Sequence, residues 1–164
     1  MRYVISVGAN LGDAIGSVQA ALANVPPRLH SAEQQSSALY STSPVGGPAQ
    51  ADFVNAVIVV DSPLTPDQVL RELQRLEQEA RRVRDVRWGP RTLDLDIITA
   101  GDSRSDDPDL TLPHPRAHKR GFVLVPWFEV EPKAELPGHG PVGDLIARLD
   151  PDQRVVKITS GEEA

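Results

Sequence analysis

Residues 93–97 alternate strictly between large apolar side chains and aspartates. Successive side chains of a β-strand point to opposite faces of the sheet, so this pattern predicts a strand with one apolar face and one acidic face. Asp94 and Asp96 would share the acidic face, with their Cα atoms about 6.6–6.8 Å apart. Aspartate is disfavoured in strands, and two carboxylates on one face repel each other unless a cation compensates. The pattern thus indicates either a Mg²⁺ site or a solvent-facing strand with incidental acids.

An arginine-rich stretch immediately precedes this strand. Residues 81–91 carry five arginines and one aspartate, a local charge of +4 within a chain of net charge −6, which leaves −10 for the rest. Such a run can be a solvated helix face, but Trp88 and the glycine and proline after it predict a loop for its second half. Arginines beside paired aspartates are typical of Mg²⁺-assisted phosphoryl transfer. The acidic remainder argues against a general nucleic-acid binder.

Periodicity elsewhere predicts an α+β fold. Strands are predicted over residues 2–7, up to about residue 40, and over 53–60 and 92–99. One helix should begin at the N-cap Asp13 and stop at Pro26, and another should begin at a capping box of Thr65 and Gln68. Residues 122–130 and 142–149 predict further helices, residues 155–158 a last strand, and residues 101–109 a solvated turn. The order β-α-β-β-α-β indicates a ferredoxin-like core in a single domain over residues 1–164, with a mainly antiparallel sheet and helices packed on it.

Several classes of protein and site are excluded or disfavoured. The chain has no cysteine, which excludes disulfides, zinc–thiolate sites and cysteine nucleophiles. It carries no GxxxxGK[ST] phosphate loop, no GxGxxG, no HExxH and no GxSxG motif. The longest apolar runs are too short to span a bilayer, and the N-terminus resembles a strand rather than a signal peptide. We therefore expect a cytoplasmic protein without membrane contact, and a monomer.

Two other groups of side chains could contact a ligand. Phe53 and Asn55 share one face of their predicted strand, so the ring could stack on a planar heterocycle whose edge the carboxamide would read, with Thr42 as a nearby hydroxyl. The alternative is a core phenylalanine and a satisfied asparagine. His114 lies between two prolines shortly before Arg120, which suits a phosphate contact as well as a purely structural histidine.

Four blocks of the chain together resemble the hydroxymethylpterin pyrophosphokinase family of folate biosynthesis. They are SVGANLGD, YSTSPVGGPAQADFVNAVIVV, RVRDVRWGPRTLDLDII and LPHPRAHKRGFVLVPWFEVEP. The resemblance implies that Mg-ATP donates its terminal two phosphates as one unit to the hydroxymethyl group of 6-hydroxymethyl-7,8-dihydropterin, releasing AMP. It also implies a ferredoxin-like fold, with ATP as co-substrate.

The resemblance assigns roles to residues of this chain. Asp94 and Asp96 would hold two Mg²⁺ ions and, with Arg82 and Arg91, form the catalytic group. The pterin would stack between Phe53 and Phe122, with Asn55, Thr42 and the Val45 backbone at its polar edge. The residues implied on the ATP side are Gln74, Glu77, Arg82, Arg84, Trp88, Arg91, Ile97, His114 and Arg120.

This chain departs from the family pattern at a few positions. Arg81 stands where a glycine commonly precedes the Arg-x-Arg of the loop, the stretch between Arg84 and Arg87 is short, and Ser43 occupies a position that is often proline. One alternative function is a ferredoxin-like binding module for a small ligand or single-stranded nucleic acid, without catalysis. Among enzymes, the alternative is an ordinary Mg²⁺-dependent kinase that releases ADP.

Overall fold

The computed structural model describes residues 1–10, 13–42, 53–84 and 93–159, with the side chains of residues 82–84 outside the description. The strands are β1 (Arg2–Ala9), β2 (Glu33–Ser36), β3 (Tyr40–Thr42), β4 (Phe53–Asp61), β5 (Leu93–Ala100), β6 (Ser105–Asp107), β7 (Leu110–Leu112), β8 (Glu135–Leu136), β9 (Gly140–Pro141) and β10 (Val155–Lys157). The helices are α1 (Ala14–Arg28), α2 (Pro66–Arg84), α3 (Gly121–Val130) and α4 (Val142–Ala147), with a 3₁₀ turn at Ala117–Lys119.

An antiparallel sheet organises the described residues. Its strand order is β10-β3-β4-β1-β5, and β2 pairs with the far end of β4. The central β3-β4-β1-β5 order, with α1 and α2 as the two connecting helices, is the ferredoxin-like arrangement predicted from the sequence. The strands β6–β7 and β8–β9 form two small separate hairpins.

The two faces of the sheet bury two different clusters. Alternate residues of β1, namely Tyr3, Ile5 and Val7, pack with α1 and α2, whereas Val4 packs on the opposite face with α3 and α4. Leu95 and Ile97 of β5 also face α1 and α2, which confirms the predicted apolar face of that strand. Ser6 and Gly8 belong to the opposite face, beyond the area that α3 and α4 cover, and they line a pocket there.

The predicted helix starts are confirmed by their capping contacts. The Asp13 carboxylate accepts a hydrogen bond from the Gly16 amide at 2.9 Å. At the start of α2, the Thr65 amide donates to Gln68 Oε1 at 2.9 Å and the Gln68 amide donates to Thr65 Oγ1 at 3.3 Å. These contacts satisfy amides that the first turn of a helix leaves without partners.

Several predicted boundaries were wrong. Helix α1 does not stop at Pro26 but runs to Arg28. Proline has no amide donor but keeps its carbonyl, so it can still accept a hydrogen bond. Here the Leu29 amide donates to the Val25 and Pro26 carbonyls. The strand expected to end near Tyr40 is divided into β2 and β3, because the Ser37 hydroxyl accepts from the Val57 amide between them. Residues 101–109 include β6 in a hairpin rather than turn alone. None of the helices in the described ranges has the length and apolar composition needed to cross a membrane.

Candidate functional site

A pocket of about 520 Å³ opens on the part of the sheet that α3 and α4 leave uncovered. It brings together side chains from strands that are distant in the sequence, since β1, β3, β4 and β5 all contribute to its floor. The start of α3 and the segment that leads into β10 form its walls. Seven of the residues predicted from the sequence line it, namely Thr42, Phe53, Asn55, Asp94, Asp96, Arg120 and Phe122.

One end of the pocket combines aromatic rings with a buried amide. Asn55 is 4% exposed, and its Nδ2 donates to Thr42 Oγ1 at 2.7 Å. Gly8 lies directly opposite Asn55 in the antiparallel pair, and a Cβ on Gly8 would come within 2.6 Å of Asn55 Oδ1. The absence of a side chain at Gly8 therefore leaves room for the amide. The Phe53 and Phe122 rings are only partly buried, so both keep surface for a flat ligand.

The other end of the pocket is acidic. Asp94 and Asp96 both face it, as the alternation of β5 requires. Partial burial, followed by the neighbouring charge of Asp96, raises the pKa of Asp94, and Arg81 only partly offsets this. Glu77 on α2 lies close by, and its carboxylate accepts from the Leu95 amide at 2.8 Å. Burial, together with the charges of both aspartates, raises the pKa of Glu77 as well.

Both raised pKa values arise mainly from burial, and the neighbouring carboxylates add to them. No group of three or more acidic or histidine side chains in the described ranges forms a complete metal-ligand set. Mg²⁺ prefers carboxylate oxygens and commonly keeps several waters and substrate phosphates among its ligands. The two aspartates therefore fit a Mg²⁺ site that a phosphate-bearing ligand and water would complete.

Potential hydrogen-bond donors lie beside the acidic group. The His114 amide donates to the Ile98 carbonyl at 2.9 Å, and His114 Nδ1 accepts from the Arg116 amide at 3.2 Å. Burial lowers the pKa of His114; Arg120 and Arg116 lower it further, while Asp96 acts in the opposite direction. A neutral imidazole that accepts at Nδ1 carries its proton on Nε2, which leaves that atom as a donor. The Arg120 guanidinium lies 5.3 Å from the Phe122 ring centroid, within the range of a cation–π contact.

The other residues predicted on the ATP side are not among the described residues that line the pocket. Gln74 is exposed on α2, three residues before Glu77 and therefore on the same helix face. The Ile97 side chain is 5% exposed in the core, so only its backbone is available to a ligand. Arg82 and Arg84 lie in the last turn of α2. The predictions for Val45, Trp88 and Arg91, and the unusual Ser43, lie outside the described residues.

The pocket also contains residues that the sequence analysis missed. These are Ser6, Gly8, Lys119, Gln153, Arg154 and Val155. The sequence could have indicated Ser6 and Gly8, because these small residues alternate with apolar ones in β1. The alternation places them on the face opposite Val7. No local pattern indicated the last three, which reach the pocket through the pairing of β10 with β3.

Comparisons with known proteins give a consistent result. A family model described as 7,8-dihydro-6-hydroxymethylpterin-pyrophosphokinase (HPPK) matches residues 4–132. The 2-amino-4-hydroxy-6-hydroxymethyldihydropteridine pyrophosphokinase of Mycobacterium tuberculosis is 42% identical over 166 residues, which cover 93% of this chain and 86% of its own. The protein of the same name from Haemophilus influenzae is 37% identical over 154 residues, covering 94% of this chain and 96% of its own.

A solved structure supports the fold independently. It is described as "Crystal Structure Analysis of the HPPK-DHPS in complex with substrates", and it superposes on this chain with a TM-score of 0.67 at 10% sequence identity. The superposition covers 90% of this chain but 43% of the other, so this chain spans less than half the length of that protein. At such low identity the likeness shows a shared fold and nothing more.

Proposed function

The chain belongs to the 7,8-dihydro-6-hydroxymethylpterin-pyrophosphokinase family, and from that membership and the pocket we propose how its residues carry out the reaction. The enzyme transfers pyrophosphate from ATP to 6-hydroxymethyl-7,8-dihydropterin in folate biosynthesis. One observation supports the assignment of residues. A single pocket has aromatic rings and a buried amide at one end and paired aspartates at the other.

The pterin is assigned to the aromatic end. Its ring stacks between Phe53 and Phe122, which supply two apolar faces without long flexible side chains. Asn55 reads the polar edge, supported by Thr42 and by the backbone of Val45. The hydrogen bond between Asn55 and Thr42 holds the amide in one orientation before the ligand arrives, and such preorganisation lowers the cost of binding.

The triphosphate is assigned to the acidic and basic end. Asp94 and Asp96 would hold two Mg²⁺ ions on it, and the metal would supply charge neutralisation at the phosphate oxygens. Arg82, Arg84 and Arg91 donate to the phosphates, together with His114 and Arg120. The side chains of Gln74, Glu77 and Trp88 and the Ile97 backbone line the nucleotide. Removing one arginine–phosphate contact should cost about 1.5–3 kcal/mol.

The chemical step is an attack of the pterin hydroxyl on the β-phosphorus of ATP, with AMP as the leaving group. Among the described residues that line the pocket, the carboxylates are Asp94 and Asp96, which are assigned to the metal, so no side chain there is an evident strong base. Most of the rate should therefore come from positioning and from neutralisation of charge. We also infer a monomer acting in the cytoplasm; the few large apolar side chains exposed in the described ranges, namely Met1, Phe128 and Val156, support the monomer.

One assay tests this function. The protein is incubated with Mg-ATP and 6-hydroxymethyl-7,8-dihydropterin, and the nucleotide products are separated. AMP that forms only with the pterin present supports pyrophosphate transfer. ADP would instead indicate an ordinary kinase, and the absence of turnover would indicate a binding module. Omitting Mg²⁺ serves as the metal control and should abolish AMP formation.

A further inference from the structure

The C-terminal segment contacts both β3 in the floor of the pocket and the start of α3, which forms the other wall. Strand β10 pairs with β3, and Val155 lies directly opposite Thr42 in that pair. The same segment contacts the start of α3, where Arg120 and Phe122 lie. It follows the span that matches the family model, which ends at residue 132. The segment therefore connects the two sides between which the pterin is proposed to bind.

One side chain of this segment holds the backbone on both sides of Arg120. Gln153 Oε1 accepts from the Gly121 amide at 2.8 Å, and Gln153 Nε2 donates to the Lys119 carbonyl at 2.9 Å. Both polar atoms of the carboxamide are thus used within the same short stretch of chain. These contacts span more than thirty residues of sequence, so they are tertiary and not part of a local turn.

The start of α3 needs a partner of this kind. The first amides of a helix have no acceptor within the helix, and the N-cap residue usually supplies one. Here the N-cap is Arg120, which has no side-chain acceptor and makes no capping hydrogen bond. Gln153 therefore supplies an acceptor for the first amide of α3, while the Arg120 side chain lines the pocket.

The packing at Gly121 shows how closely the segment approaches. A Cβ on Gly121 would lie 3.1 Å from Gln153 Oε1, 3.1 Å from Val155 Cγ2 and 3.3 Å from Leu149 Cδ1. Contacts of this length are tighter than nine in ten contacts of real Cβ atoms, so the neighbouring atoms would have to shift by a few tenths of an ångström. Glycine at this position thus permits both the hydrogen bond and the close packing of the C-terminal segment.

We propose that Gln153 is a positioning residue, which fixes residues 119–121 so that Arg120 and Phe122 face Thr42 across the pocket. The proposal rests on the function proposed above, because that function requires Phe122 to bind the pterin and Arg120 to bind phosphate. Without the carboxamide, the start of α3 loses its cap and its second anchor. Phe122 and Arg120 then sample several orientations, and substrate binding bears the cost of ordering them.

The test uses Gln153→Ala, with the neighbouring exposed Asp152→Ala as the matched control. Gln153→Glu separates the two contacts, because its carboxylate keeps an acceptor for the Gly121 amide but cannot donate to the Lys119 carbonyl. The measurements are hydrogen exchange at the Gly121 amide, the melting temperature, and kcat and KM for both substrates. Hydrogen exchange reports the anchor directly and does not depend on catalysis.

We expect Gln153→Ala to speed exchange at Gly121 and to raise the KM for the pterin by about tenfold, because both hydrogen bonds that hold residues 119–121 are lost. Asp152→Ala should match the wild-type protein, and Gln153→Glu should recover part of the exchange protection at Gly121 and part of the KM, because it restores the acceptor for Gly121 but not the donor to Lys119. Wild-type KM values in Gln153→Ala would overturn the proposal, as would an equal defect in Asp152→Ala. Failure of the wild-type protein to form AMP would overturn the proposed function instead, while exchange at Gly121 would still show whether the anchor exists.

Discussion

The substitution Gly8→Ala tests whether the pocket depends on a missing side chain. The new Cβ would lie 2.6 Å from Asn55 Oδ1, whereas ordinary contact begins at 3.4 Å, so the amide must retreat by about 0.8 Å. A flexible surface side chain could do this at little cost. Asn55 cannot, because it is buried and its Nδ2 is held by Thr42 at 2.7 Å. The alanine must therefore either break that hydrogen bond or push the strands apart.

The magnitude follows from the hydrogen bond at risk. Leaving a buried polar group without its partner costs about 1–3 kcal/mol. If the whole cost falls on pterin recognition, the KM for the pterin should rise by roughly 5- to 150-fold. Global stability should change less, since replacing glycine by alanine in a strand recovers about 0.5–1 kcal/mol of backbone entropy.

The assay is AMP formation at saturating Mg-ATP with varied pterin, accompanied by thermal unfolding of the same samples. Gly143→Ala is the matched control, because its Cβ would lie 3.1 Å from an atom of Phe128, a ring that is exposed and free to move away. We expect the control to keep the wild-type KM. A Gly8→Ala protein that folds and keeps the wild-type KM for the pterin would refute the reasoning.

Three further predictions concern the metal, the core and a helix start. Asp94→Asn should lower kcat by on the order of 10²–10³-fold and remove the thermal stabilisation by Mg-ATP; the melting temperature without ligand should not fall, because repulsion from Asp96 is relieved. Tyr3 donates to the Leu64 carbonyl at 2.5 Å, and burial raises the pKa of Tyr3 to about 12. Folding favours the neutral form of Tyr3, so this contribution to stability is complete below the ordinary pKa of 10.0 and is lost as the pH rises toward 12. The urea midpoint of unfolding should therefore fall between these pH values. The fall should be less steep in Tyr3→Phe, which has no hydroxyl to ionise. Thr65→Ala should reduce the free energy of unfolding by about 0.5–2 kcal/mol, measured in urea, with kcat/KM unchanged.

Local patterns predicted several features of this pocket, although it is built from several strands. The alternation around Asp94 correctly separated the acidic face of β5 from its apolar face, because the apolar side chains pack beneath α1 and α2. The same rule placed Phe53 and Asn55 on one face, which the pocket confirms. It could not distinguish a core face from a ligand-binding face, since both require the same alternation.

The errors in the fold have a common origin. The division between β2 and β3 depends on a hydroxyl of Ser37 that bonds to a strand twenty residues away. The continuation of α1 through Pro26 depends on carbonyls that the loss of an amide donor does not affect. Propensity describes a residue with its nearest neighbours, and it says nothing about partners that only folding supplies.

The sequence by itself determined which residue types are candidates for the site and on which side of each strand they lie. Residue type and a period of two are local properties, so paired aspartates, an arginine-rich stretch and an aromatic beside an amide could be identified before any contact was known. The tertiary structure alone decided which part of the sheet stays open, because that depends on where α3 and α4 end. It also decided that Gly8 lies opposite Asn55 and that Gln153 caps α3. Such contacts join distant segments, and their register results from the packing of the whole core.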